Sequence, residues 1–191
     1  MTRQEALQYD NELKNYLMLV AAENGLSGEI GANIVDNYII ITPDDVRKGM
    51  FFLGKDAVSY KFGNIFMNLK KALAAGLELA ASVSQPESLF NYIQLLITCV
   101  LFIQKTTSYN INKIEAYIVY WLHIHNKYEY GVVEDVFIDE FKQWYQEQVR
   151  ENVEFSIISE AIGRLYQIKA IEIFDGKLYL KEHVIGYPDM K

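Results

Sequence analysis

The residue pair Asp175 and Gly176 constrains the fold of this 191-residue chain more strongly than any other feature of its sequence. Aspartate followed by glycine favours positive φ at both centres of a type I′ turn, which joins two antiparallel strands tightly. Such a turn predicts four cross-strand pairs: Phe174 with Lys177, Ile173 with Leu178, Glu172 with Tyr179 and Ile171 with Leu180. Both aliphatic pairs then share one face, so the sequence predicts a hairpin with one buried face and one wet face.

A short amphipathic helix is predicted directly before this hairpin, over residues 156–168. Its apolar residues recur at the three- and four-residue spacing of one helix face: Ile158, Ala161, Ile162, Leu165 and Ile168. Ser156 is expected to accept a hydrogen bond from a backbone N–H group at the helix start. We therefore expect this helix to bury Leu165 in a core.

Two more helices are predicted upstream, over residues 114–125 and 134–150. Three helices followed at once by a two-stranded wing resemble the winged-helix superfamily, and the resemblance covers residues 111–184. It implies a recognition helix before the wing and makes DNA binding the usual expectation. For the rest of the chain, a little over half of it, we identify no resemblance to a family.

The first helix of the chain is marked by its end signals. Thr2 and Glu5 have capping-box spacing, and Asn24 followed by Gly25 is typical of a helix end. An apolar stripe runs between them: Leu13, Tyr16, Leu17, Val20 and Ala21. The stripe either packs within its own domain or lines a dimer interface.

Three glycines follow at three-residue spacing: Gly25, Gly28 and Gly31. A phosphate-binding loop needs a basic residue and a helix close behind such glycines, whereas Glu29 and an apolar run follow here. We therefore interpret the glycines as a loop and predict a strand over residues 34–41. Residues 42–45 have the pattern of a helix start, while residues 46–62 are compatible with strand or helix.

Two further helices are predicted over residues 64–83 and 88–105. The second is apolar on nearly all sides, but its unbroken part is too short for a bilayer, so we predict a buried helix and no membrane association. The predicted fold class is mainly α with small β (α+β). It comprises a helical domain with a small β element at residues 1–107 and a winged-helix-like domain at residues 108–191.

No residue pattern indicates catalysis, a cofactor or a bound metal. Neither a nucleophile elbow nor a phosphate or dinucleotide fingerprint occurs. His123 and His125 lie about 200° apart around a helix axis, so they cannot coordinate the same metal ion. The single cysteine, Cys99, excludes an internal disulfide and favours a reducing compartment. We therefore expect a cytoplasmic protein that is not an enzyme and that holds no cofactor.

DNA binding is one of two interpretations of the winged-helix-like part. The recognition face and the wing would present Ser156, Ser159, Glu160, Arg164, Gln167, Lys177 and Lys181. Only Arg164 is cationic on the helix, and Glu160, one turn away, is expected to engage it. Residues 109–191 hold fourteen Asp or Glu against nine Lys or Arg. Since phosphate neutralisation supplies much of DNA affinity, this balance predicts weak binding.

Protein binding is the interpretation that the sequence favours. The chain has fourteen tyrosines, ten phenylalanines and two tryptophans, and tyrosine suits interfaces because it joins an apolar body to a polar tip. The sequence thus predicts a non-catalytic intracellular binding or regulatory protein that uses a winged-helix-like scaffold for protein–protein contacts. A DNA-binding transcriptional regulator is the alternative, and a homodimer is compatible with either.

Overall fold

The computed structural model describes residues 1–43, 65–82, 87–104 and 110–186. The helices are α1 (Arg3–Glu23), α2 (Gly28–Tyr38), α3 (Leu69–Ser82), α4 (Glu87–Ile103), α5 (Lys113–Ile124), α6 (Glu134–Val149) and α7 (Phe155–Gln167). The strands are β1 (Ile39–Ile41), β2 (Ile65–Asn68), β3 (Val132–Val133), β4 (Ile171–Phe174), β5 (Lys177–Leu180) and β6 (His183–Gly186). Long helices and short antiparallel strands confirm the predicted class, mainly α with small β.

The chain divides into two compact units. The first comprises Met1–Tyr109 together with His183–Lys191, and the second comprises Asn110–Glu182. The sequence assigned all of residues 108–191 to one domain, so the division differs from that prediction at the end of the chain. The physical reason is hydrogen bonding, because β6 pairs with β2 inside the first unit.

The sheet of the first unit has the order β1-β2-β6, with both pairings antiparallel. Its central strand corrects a prediction, since a helix was expected over residues 64–83 and Ile65–Asn68 is a strand instead. Pairing on both edges satisfies the backbone groups of this segment, and Met67 is fully buried between Ile39 and Val184. The helix then starts at Leu69, where the Asn68 side chain accepts a hydrogen bond from the N–H of Lys71 at 3.0 Å.

Helix α1 has the end signals that the sequence predicted. Thr2 and Glu5 form a reciprocal capping box, and the helix ends at Asn24 before Gly25, whose φ is 72°. The Tyr16 ring stacks on Phe102 of α4, with 5.0 Å between ring centroids. The apolar stripe of α1 therefore packs within its own unit, which supports the intramolecular alternative over the dimer interface.

Helix α2 corrects the prediction of a glycine loop followed by a strand. Gly28 and Gly31 lie in a helix and not in a loop, and only Ile39–Ile41 of the expected strand over residues 34–41 is extended. A Cβ atom on Gly31 would lie 2.4 Å from the backbone carbonyl of Leu17, so glycine is needed for the close approach of α1 and α2. Lys14 also joins the two helices, because its Nζ lies 2.6 Å from a carboxylate oxygen of Asp36.

Helix α4 is buried along most of its length, as its composition predicted. Within the described residues, none of the helices combines the length and the apolar character that crossing a membrane requires. Two segments discussed from the sequence lie outside the described residues. They are Asp44 and Asp45 of the predicted helix start and the segment 46–62.

The second unit runs helix, strand, helix, helix and hairpin, with a sheet of order β3-β5-β4. All four predicted cross-strand pairs of the hairpin are confirmed. Asp175 and Gly176 have φ values of 50° and 69°, as a type I′ turn requires. Strand β3 was not predicted, although two β-branched residues after Gly131 are a usable signal for it.

The core of the second unit is aromatic and aliphatic. Trp121, Phe137, Phe141, Tyr145 and Leu165 are all at most 2% exposed, which confirms that Leu165 lies in the core. The predicted role of Ser156 is wrong. Helix α7 begins one residue earlier, its N-cap is Glu154 without a side-chain cap bond, and Ser156 lies inside the first turn.

We expect Gly31→Ala to lower the free energy of unfolding by about 1 to 3 kcal/mol, because its Cβ atom would meet the backbone of α1. Urea unfolding followed by circular dichroism measures this change. Gly28→Ala in the same helix is the matched control, since its Cβ would approach the Met18 carbonyl oxygen at 3.4 Å. Equal midpoints for the two variants would contradict the close approach.

We expect stability to fall at alkaline pH because three tyrosine hydroxyls are buried. Burial raises the pKa of Tyr9, Tyr92 and Tyr128 above the usual value, and the Tyr92 hydroxyl donates to the Ala72 carbonyl at 2.9 Å. A raised folded pKa means that the contribution to stability is complete below the unfolded pKa, near 10, and is lost as pH rises beyond it. Urea midpoints measured from about pH 8 to 11 should therefore decrease above about pH 10. An unchanged midpoint would contradict the burial of these hydroxyls.

Candidate binding surface of the second unit

The structure brings the predicted recognition-face residues together on the outer side of α7. Ser156, Glu160 and Gln167 are exposed, while Ser159 and Arg164 are half-buried at the edges of that face. Gly163 lies on the same side, and a Cβ atom there would meet nothing within 4 Å. The centre of the face therefore offers small and acidic groups and no cation.

The guanidinium of Arg164 is directed to a buried carboxylate. Its Nε lies 3.0 Å from Oε1 of Glu115, whose side chain is fully buried. Glu115 also belongs to the capping box of α5, where its other oxygen accepts a hydrogen bond from the Asn112 N–H at 2.8 Å. Sequence reasoning expected Glu160 as the partner of Arg164 and missed Glu115. The capping-box spacing of Asn112 and Glu115 was the signal that could have revealed a carboxylate at this end of α5.

Two lysines of this unit are also held by carboxylates. Lys181, one of the predicted wing contacts, lies 2.5 Å from Glu172 on the neighbouring strand. Lys113 lies 2.9 Å from Glu151, and hydrogen bonding to Lys113 holds the pKa of that carboxyl below its usual range. Lys177, the other predicted wing contact, is half-buried in the middle of the sheet. The surface therefore presents little uncompensated positive charge where the sequence placed a DNA contact.

Exposed apolar side chains are a feature of this surface that the sequence did not identify as a site. They include Phe155, Ile157 and Tyr166 on α7, Phe174 on the hairpin, and Val133 and Val136 at the start of α6. Phe174 is the most exposed of these six side chains, at 69%. The hairpin register was the available signal, because it places Phe174 opposite Lys177 on the wet face.

The rest of this surface is acidic. Asp135, Asp139 and Glu140 are exposed on the solvent side of α6. Residues 110–182 contain thirteen Asp or Glu against eight Lys or Arg. A surface of this charge repels polyanions.

The histidines of this unit have structural contacts. His123 contacts the Tyr128 hydroxyl, whereas His125 stacks on Trp121 with 4.0 Å between ring centroids. Across the parts of the chain that the structure describes, no group of three histidine, cysteine or acidic residues could hold a metal ion. Cys99 is buried in the other unit, and burial raises the pKa of its thiol.

Comparison with known proteins provides no relative for this chain. No protein-family model, curated protein or solved structure matches it.

We expect Arg164→Met to lower the free energy of unfolding by about 1 to 3 kcal/mol, because the buried Glu115 carboxylate loses its cation. Adding Glu115→Gln should recover much of the loss, since glutamine retains the capping box and carries no charge. A double-mutant cycle of urea unfolding measures the coupling. Strictly additive effects would mean that the ion pair contributes nothing to stability.

Proposed function

We propose that this chain is a non-catalytic binding protein whose second unit is a winged-helix-like scaffold for protein–protein contacts. The order of elements supports this proposal. Three helices are followed by a two-stranded wing, as the resemblance of the sequence implies, and β3 adds a third strand beside β5. The scaffold by itself implies no particular partner, because function resides in the surface that a fold presents.

The observation that carries the proposal is the ion pair between Arg164 and Glu115. In the DNA-binding alternative, the outer face of α7 would enter the major groove and its cations would contact bases and phosphates. The only cation on that helix is instead drawn towards a buried carboxylate at its edge. Exposed Glu160 near the centre of the face would approach the DNA and repel it.

The exposed apolar side chains favour a protein partner over a nucleic acid. Aromatic residues are enriched at protein–protein interfaces, whereas charged residues are depleted from their cores. Phe155 and Tyr166 are at least half exposed on α7, although neither contributes to the buried side of that helix. The contact of a partner would remove these side chains from water.

The absence of a catalytic pattern in the sequence supports the non-catalytic part of the proposal. The contacts of His123 and His125 are compatible with purely structural roles. The proposed location is the cytoplasm, which the single free cysteine, Cys99, supports.

Titration with random-sequence duplex DNA, at low and then physiological salt, tests the proposal against its alternative. We expect weak binding at low salt that is lost at physiological salt, because few cations are available to release counterions. Measuring the mass in solution alongside decides whether the chain is a homodimer. Tight binding at physiological salt that Arg164→Met abolishes would overturn the proposal in favour of a DNA-binding regulator.

Two variants with the same change of charge check the geometry in that titration. Glu160→Lys on the recognition face should raise DNA affinity at low salt more than Glu23→Lys at the end of α1. Equal gains would mean that α7 does not face the DNA and that only net charge matters.

A further inference from the structure

Three neighbouring strands place Phe174, Lys177 and Val133 in one row on the outer face of the wing. Phe174 is directly opposite Lys177, and Lys177 is directly opposite Val133. Side chains that are directly opposite in a sheet point to the same face. The next row, formed by Ile173, Leu178 and Val132, lies on the other face, where Leu178 is fully buried. Phe174 and Val133 therefore project away from the core.

Helix α6 begins directly after Val133, which is its N-cap residue. The N–H of Glu134 donates a hydrogen bond to the carbonyl oxygen of Gly176 at 3.2 Å, which ties the start of the helix to the hairpin turn. Val136 follows one turn after Val133 and is 47% exposed. We call the set Val133, Val136, Phe174 and Lys177 the wing patch. The aliphatic stem of Lys177 adds apolar area to it.

The fold does not require these apolar side chains. Phe174 is 69% exposed and Val133 is 45% exposed, so neither gains much stability from burial within the chain. Neighbouring exposed apolar residues on one surface are typical of an interaction site. Their adjacency follows from the strand register and from the bond between Glu134 and Gly176.

Exposed carboxylates lie next to residues of the wing patch along the chain. Asp175 is exposed in the hairpin turn beside Phe174, Asp135 is exposed beside Val136, and Asp139 is exposed one turn further along α6. Lys177 is the only cation within the wing patch itself. The charge around the patch is thus negative. It disfavours a nucleic acid, and it disfavours a second copy of this chain that presents the same carboxylates.

We propose that the wing patch binds a basic segment of a partner polypeptide. An apolar side chain of the partner contacts Phe174, Val133 and Val136, while flanking Lys or Arg residues of the partner approach Asp135 and Asp175. Complementary charge fixes the orientation and increases the rate of association, and the apolar contact supplies affinity. This inference rests on the proposed function, because it names the surface and the chemistry of the protein partner.

Selection from a random-peptide display library against the full chain tests the inference. Peptides enriched on the unmodified chain are sequenced, synthesised and titrated against that chain and against its Phe174→Ser variant. We expect enriched peptides that carry net positive charge around an apolar residue. Their affinity should fall at least about tenfold for Phe174→Ser and should decrease as salt rises.

Two further variants control for the fold and for the surface. Asp175→Asn keeps a residue that tolerates the positive φ of the turn, and together with Asp135→Asn it should weaken binding severalfold and reduce its salt dependence. Leu19→Ser on α1 is the matched control, because Leu19 is 65% exposed and lies outside the wing patch, and it should leave peptide affinity unchanged.

The outcomes distinguish this inference from the proposed function. Enriched peptides that are acidic or neutral, peptides that bind Phe174→Ser equally well, or no enrichment at all would overturn the inference. Peptides that require Phe155 instead of Phe174 would overturn it too, yet they would leave a protein-binding function in place. Tight DNA binding at physiological salt would overturn the proposed function itself.

Discussion

Strand β5 is hydrogen-bonded on both sides, and its register decides which side chains of the second unit face water. A slip by one residue would exchange the two faces, placing Leu178 in water and Lys177 in the core. Two features prevent such a slip. The turn at Asp175 and Gly176 fixes the pairing with β4. Burial of Leu178 stabilises that register and no other. The core contacts of the hairpin and the exposure of Phe174 are therefore two results of one constraint.

The buried carboxylate of Glu115 links local helix chemistry to the surface. It completes the capping box of α5 and at the same time lies beside the guanidinium of Arg164 on α7. A buried carboxylate requires compensation, so the cation that a DNA-binding face would use contributes to stability instead. This single contact connects the packing of the unit to the kind of partner that we propose.

In the first unit, the packing depends on the close approach of two helix backbones, as the packing of the second unit depends on strand register. Gly31 allows the backbones of α1 and α2 to approach, and Lys14 links the same helices through Asp36. Glycines at three-residue spacing have the same sequence pattern in a loop and on a packed helix face. The loop interpretation was wrong because the partner surface, the backbone at Leu17, belongs to another helix.

The sequence by itself determined the features that depend on neighbouring residues. The hairpin register, the capping box at Thr2 and Glu5 and the apolar face with Leu165 follow from turn chemistry and periodicity, which act over a few residues. Only the tertiary structure decided the pairing of β2 with β6, the contact of Arg164 with Glu115 and the placement of Val133 and Phe174 on either side of Lys177 in β5. These contacts join residues far apart in the chain, and no local pattern encodes which distant groups will meet. The candidate binding surface consists of such contacts, so the sequence predicted its scaffold but not its apolar residues.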